Sequence, residues 1–224
     1  MAARKSAITD DVGARVAGVD AAGDSDNADR TVISVRQGRR IEKRIKFSRM
    51  RPMELAGIIA KLIVDERLDM VFIDRGYGEG TIDRLYEMGY AKQVVGVAFN
   101  EKTLFPDLYS NKRTEMFMEY AKWLNGGDVR IPDDDEGHAA LAVIPPAKRE
   151  STGVHSMPSK DSIKKLPGAA MLMDLVDADI LTFAYQVRGA ATGGARPVRR
   201  AGGTGGVTRN GGPLKSSALR RRGS

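Results

Sequence analysis

"MVFIDRGYGEGTIDRLYEMGY", residues 70–90, is the stretch on which the fold turns. Four apolar residues run into Asp74, and glycine then recurs at positions 76, 78 and 80. A short continuous apolar run bounded by turn residues reads as a buried strand. The carboxylate that closes it reads either as a turn cap or as an acid at the mouth of a site. The glycines read as a loop of minimal side chains: a nucleotide cradle, a surface that a phosphate backbone can approach, or an ordinary turn. "TIDRLYEMGY" then reads as a short helix closed by Gly89.

Upstream, "ARVAGVD" (14–20) has the same form, a strand ending on Asp20. Residues 29–47 read as two more strands around a turn at Gln37-Gly38, with Ile41, Ile45 and Phe47 on one face. Residues 52–68 place Leu55, Ile58, Ile59, Leu62 and Ile63 on one helical face, with Pro52 suited to the first turn. Downstream, "QVVGVAF" (93–99) is a further buried strand. Residues 110–127 form a helix with Met116, Phe117, Tyr120 and Leu124 inside and a Gly-Gly stop. Residues 128–168 read as irregular, with short strands near "LAVIP" and "GVHSM". A last helix spans about 171–187. A meander followed by helix-linked strands predicts an α/β fold, a mixed sheet with helices on both faces.

The chain has 224 residues and no cysteine, which removes disulfides, thiol nucleophiles and cysteine zinc sites. No apolar run approaches the ~20 residues of a membrane span. Of the net charge of +7, the excess lies at the C-terminal end: residues 186–224 carry nine basic residues, no acid and ten glycines. That segment is expected to be a disordered tail, either a solubilising linker or an electrostatic arm for a polyanion or a partner.

Several motif readings fail. The spacing G-x-G-x-G is not a dinucleotide fingerprint, and no Walker A motif occurs, so this chain alone is not expected to hydrolyse ATP. "DSDNAD" (24–29) lacks the glycine and glutamate of a calcium loop. His138 and His155 belong to no metal-binding motif. The acids carry more. The last helix is apolar nearly all round, yet it holds Asp174 and Asp177 on one face with no lysine or arginine in the helix to pair them. Burying bare carboxylates costs several kcal/mol. Acids at two strand ends and on one helix can converge on divalent cations, and carboxylate-only ligation suits Mg²⁺ or Mn²⁺. Two such ions activate a water and stabilise the leaving oxygen of a phosphodiester.

Taken in order, "GVDAAGDSDNADRTVISVRQGRRI", "VFIDRGYGEGTIDRLYEMGY", "YSNKRTEMFMEYAKWL", "SKDSIKKLPG" and "DLVDADILTFA" resemble the C-terminal nuclease domain of tailed-bacteriophage terminase large subunits, over roughly residues 14–187. The resemblance implies an RNase H-like fold, with residues 1–13 as a linker and 188–224 as the tail. It implies a two-metal, Mg²⁺- or Mn²⁺-dependent endonuclease that cuts concatemeric double-stranded viral DNA during packaging in the host cytoplasm. Its three catalytic acids fall on Asp20, Asp74 and Asp174, with Asp177 as a further metal ligand and Asp29 as an accessory one. DNA contacts fall on Lys112 and Arg113, on Gly76 and Gly78, and on Lys160, Lys164 and Lys165. The implied partners are an ATPase motor domain, which is not in this chain, a small terminase subunit and the portal. The "SP" that the family carries before the third acid is replaced here by Leu172-Met173. A Holliday-junction resolvase or ribonuclease of the same fold, and a non-catalytic docking module, are the competing readings.

Overall fold

A computed structural model describes residues 13–23, 30–169, 172–188 and 197–198. Most of the expected linker and tail, and Asp29 with the rest of "DSDNAD", lie outside these residues. The sheet has five strands in the order β3-β2-β1-β4-β5. They are β1 (Arg15–Asp20), β2 (Thr31–Gln37), β3 (Arg40–Phe47), β4 (Met70–Asp74) and β5 (Val94–Val97). The first three form an antiparallel meander, with a register shift at Val35/Arg36. β4 and β5 add in parallel to β1. The sequence reading of a mixed sheet holds.

Helices cover both faces because the strands are buried on both. On one face, α1 (Pro52–Asp65) and α2 (Arg75–Glu87) pack Leu55, Ile59, Ile63, Ile82 and Leu85 on Ala17, Val19, Ile33, Val71 and Ile73. On the other, α3 (Lys112–Asn125) and a later helix, α6 (Met173–Leu181), pack Met116, Tyr120, Ile180 and Leu181 with Val16, Val32, Met70 and Phe72. Burying a side chain the size of Phe72 stabilises the fold by about 2–3 kcal/mol. Between them lie α4 (Asp135–Ala142), a two-stranded ladder of β6 (Lys148–Arg149) with β7 (His155–Ser156), and α5 (Lys160–Lys164). The short strands β8 (Gln186–Val187) and β9 (Pro197–Val198) pair after α6.

Three boundaries differ from the sequence reading, and each has a local cause. The glycines after Asp74 are not a loop: α2 starts at Arg75 and contains them. Gly78 is buried there because a β-carbon would press on Ile73, so its missing side chain serves close packing of helix on strand. "LAVIP" is not a strand; Leu141 and Ala142 end α4, whose start is capped by the Asp134 side chain accepting from the Gly137 N–H at 2.6 Å. The last helix is shorter than expected and ends at Leu181, where the Thr182 hydroxyl donates to the Asp179 carbonyl at 2.7 Å.

Candidate active site

The period of two along a strand decides where the strand-end acids point. Val16 of β1, and Met70 and Phe72 of β4, face the α6 side. Gly18, Asp20 and Asp74 continue those same alternations. Val19 lies opposite Ile73 in the parallel pair, so Asp20 and Asp74 sit side by side one residue beyond the last paired position. Two neighbouring strands therefore deliver two carboxylates to one edge and one face of the sheet.

α6 brings the others, and Gly18 permits it. A β-carbon at Gly18 would collide with the Ala178 carbonyl oxygen and lie 2.8 Å from Leu181 Cβ and 2.9 Å from the Thr182 nitrogen. Only a glycine lets α6 cross β1 this closely. The helix is buried along its whole length, so Asp174 and Asp177 are buried with it, at 1% and 0% exposure, and Asp20 is 3% exposed. Asp74 is half-buried.

The cation that the helix lacks comes from α5. Lys160 Nζ lies 2.9 Å from Asp177 Oδ2, 3.2 Å from Asp20 Oδ2 and 3.9 Å from Asp174 Oδ1. The Ser159 side chain caps α5 by accepting from the Ser162 N–H at 3.2 Å, which fixes the turn that presents Lys160. Arg113 adds a second cation, its guanidinium 3.8 Å from Asp177 Oδ1. Asp174 also accepts from the Arg30 main-chain N–H at 3.1 Å.

The electrostatics follow from burial and like charge. Burial raises the Asp20 carboxyl well above the ordinary carboxylate range; Lys160 opposes this, and Asp177, Asp174 and Asp74 add to it. Asp74 is raised by burial and by Asp177, against the main-chain N–H groups of Gly76 and Arg75 and the Lys160 charge. Burial alone would depress the Lys160 ammonium, but Asp177 and Asp20 overcome it and raise it. Burial pulls the Arg113 guanidinium down despite Asp177.

Of the expected site residues, the structure brings Asp20, Asp74, Asp174 and Asp177 together. Lys160 and Arg113, read from sequence as DNA contacts, are instead ion-paired to these acids. Arg113 also donates to the Pro158 carbonyl at 2.7 Å. Lys112 is 1% exposed, its ammonium 2.9 Å from Glu115 Oε1 and stacked over the Tyr185 ring. That lysine is built into the fold and is closed off from solvent. Gly78 is buried, and Gly76 is exposed beside the Asp74 carboxylate. Lys164 is half-buried and Lys165 exposed.

Asp179 was missed, although "DLVDAD" holds it. It is 1% exposed and takes no part in the cluster. Its carboxylate accepts from Arg44 at 2.7 and 3.1 Å, from Ser34 at 2.7 Å and from Tyr120 at 2.9 Å. Burial and this carboxylate push the Tyr120 hydroxyl well up. The network ties α6 to β2, β3 and α3, and so holds the other two aspartates in place.

Divalent cations fit the chemistry of the donor set but not its present arrangement. Both Asp177 oxygens are fully buried and are met by the Lys160 ammonium at 2.9 Å and the Arg113 guanidinium at 3.8 Å rather than by neutral donors. Yet among the described residues no three carboxylate or imidazole side chains are gathered closely enough to chelate an ion as they stand. The Lys160 ammonium occupies the middle.

No protein-family model and no curated protein matches the chain. Solved structures do. The nuclease domain of the large terminase subunit gp2 of bacterial virus Sf6 superposes with a TM-score of 0.59 at 17% identity, over 77% of this chain and 89% of that one. The large terminase nuclease of thermophilic phage G20c gives 0.54 with bound magnesium and 0.53 with bound cobalt, both at 16% identity over 77% of this chain and 81% of that one. At this identity the likeness is one of fold, and it bears out the RNase H-like architecture.

Proposed function

We propose that the chain is a divalent-metal-dependent nuclease that hydrolyses phosphodiester bonds of double-stranded DNA, working as the nuclease part of a phage terminase large subunit. The observation that carries this is the convergence of Asp20, Asp74, Asp174 and Asp177 from two adjacent strand ends and one facing helix. The fold neighbours support it: they are terminase nuclease domains, and among their structures are ones with manganese, magnesium and cobalt. On this reading the substrate is concatemeric viral DNA in the host cytoplasm. The partners are an ATPase motor, a small terminase subunit and a portal.

Asp20, Asp74 and Asp174 would hold Mg²⁺ or Mn²⁺, with Asp177 as a further ligand. When bound, the metal supplies an activated water and charge stabilisation at the phosphate. The chain's own residues do the rest. Buried acceptor-only oxygens are costly without a cation, which gives the site its affinity. Asp74, at the exposed rim, is the acid that substrate meets first. The Asp179 network keeps α6 from yielding when charge enters. Lys160 holds the cluster together in the resting state and, once displaced from it, is a cation at the edge of the phosphate path.

Nicking of supercoiled plasmid tests the proposal. Cutting should need Mn²⁺ or Mg²⁺, stop in excess chelator, and fall with Asp20→Asn and Asp74→Asn while circular dichroism stays native-like. Full activity in chelator, or none with either metal, overturns it. Junction-selective or hybrid-selective cutting would replace the terminase reading with a resolvase or ribonuclease one.

A further inference from the structure

The first turn of α2 carries two large side chains on either side of Asp74, and nothing in the acid cluster uses them. Residues two apart on a helix diverge by about 200° in azimuth, so Arg75 and Tyr77 lean to opposite sides. The stem of Arg75 lies on β5 at Gly96, where a β-carbon would stand 2.9 Å from its Nε and 3.1 Å from its Cγ. The ring of Tyr77 lies on Gly23, just past the end of β1, where a β-carbon would stand 3.4 and 3.5 Å from its ring carbons. Each side chain is thus seated on a bare stretch of backbone. Their working ends are in solvent: Tyr77 is 70% exposed, and Arg75 is exposed with no carboxylate partner among the described residues. Gly76 lies between them and leaves the Asp74 carboxylate open to approach.

This is an odd place for two such groups. An exposed ring leaves apolar area in water, and an unpaired guanidinium attracts anions. Isolated exposed aromatics are common, but this one sits three residues from a proposed metal ligand and beside a free cation. The ring is preorganised against Gly23, so little entropy is lost when something covers it.

We propose that Arg75 and Tyr77 position the DNA strand being cut. Arg75 takes a phosphate next to the scissile one, and Tyr77 packs on the deoxyribose of a neighbouring nucleotide. Between them they set how that strand lies over Asp74. The assignment rests on the nuclease reading above, and it makes both residues positioning residues that touch substrate, not metal.

The experiment is fluorescence anisotropy of a labelled 30-base-pair duplex across a salt series in Ca²⁺, with plasmid cutting in Mn²⁺ alongside. Arg75→Ala should weaken binding and reduce the slope of log K against log salt by about 1, the share of one phosphate contact. Arg75→Lys should restore most of that slope. Tyr77→Ala should weaken binding about tenfold with the slope unchanged, because the lost contact is apolar. Tyr77→Phe should match the wild type. In cutting, both alanine variants should raise KM far more than they lower kcat. An unchanged slope in Arg75→Ala overturns the phosphate contact. Unchanged affinity in Tyr77→Ala, or a Tyr77→Phe defect as large, overturns the ring contact. If the wild type binds duplex with these effects but never cuts, the nuclease reading fails and the DNA contacts stand. If it cuts and neither variant differs from it, the nuclease reading stands and this assignment fails.

Discussion

Replacing Lys160 with alanine should make the fold depend on divalent cations. The ammonium is within 2.9–3.9 Å of three carboxylates, Asp177, Asp20 and Asp174, all of them buried. Removing one partner of a buried ion pair typically costs about 3–5 kcal/mol, because a charge is left without compensation. Here three acids lose a partner at once, while Arg113, at 3.8 Å from Asp177, and the Arg30 main-chain N–H on Asp174 stay in place. Some of the loss is recovered when an acid takes up a proton, so the expected destabilisation is about 3 kcal/mol. For a chain of this size that lowers the melting temperature by roughly 6–12 °C without metal. Mn²⁺ supplies the missing charge. Its stabilising shift, modest in the wild type where the ion must first displace the ammonium, should be several degrees larger in Lys160→Ala. Thermal melts of both proteins with and without saturating Mn²⁺ read this directly. An equal metal-induced shift in the two proteins would refute the idea that Lys160 stands where the ion goes.

Three other outcomes follow from the same geometry. Gly18→Ala should lose about 1–3 kcal/mol and most of its cutting, since α6 must retreat from the Ala178 carbonyl contact and a displacement near 1 Å at a reacting centre costs about 10²-fold; native-like stability and activity in this variant would contradict the close crossing. Asp174→Asn should abolish plasmid nicking, whereas Asp177→Asn should reduce it or raise the metal requirement, and the reverse pattern would swap their roles. Asp179→Ala should destabilise by about 3 kcal/mol, because the buried Arg44 loses its closer carboxylate and keeps Asp134 at 3.1 Å, yet the folded fraction should still show a metal-induced thermal shift; loss of metal binding at full foldedness would make Asp179 a ligand.

What the sequence made legible was local in character. The strands before Asp20 and Asp74 could be read because continuous apolar runs end there, but that both acids share one face follows from the parallel register of β1 with β4, which no local pattern encodes. The burial of α6 could be read because it is apolar all round. The start of α2 could not: three glycines in its first six residues carry a helix penalty of about 1 kcal/mol each, which packing on Ile73 and Ala21 overrides. α4 is eight residues long and weakly amphipathic, with a glycine in its first turn, and so gave no periodic signal. The resemblance implies DNA contacts for Lys112, Arg113 and Lys160, and the sequence holds nothing against it, because a lysine or arginine in a polar run looks the same whether it faces water or an acid. Lys160 meets Asp20 across 140 residues of chain, a distance at which no spacing rule operates.

The placement of Lys160 bears on how such a site stays quiet. Carboxylates gathered this closely repel one another when no cation lies between them, and a fold that depended on metal for its integrity would open whenever metal was scarce. An internal ammonium removes that dependence. It neutralises Asp20 and Asp177 at hydrogen-bonding distance, and its pKa is raised, so it does not surrender its charge near neutral pH. The same contact opposes metal entry, because an ion must compete with a charge already in place, and the acids are not yet close enough to chelate. Substrate changes that balance. On the nuclease reading, a DNA phosphate beside Asp74 would offer the ammonium another anion, so bound substrate would favour displacement of Lys160 and occupancy of the acids by metal. On the nuclease reading, one lysine then both stabilises the resting fold and couples metal loading to substrate.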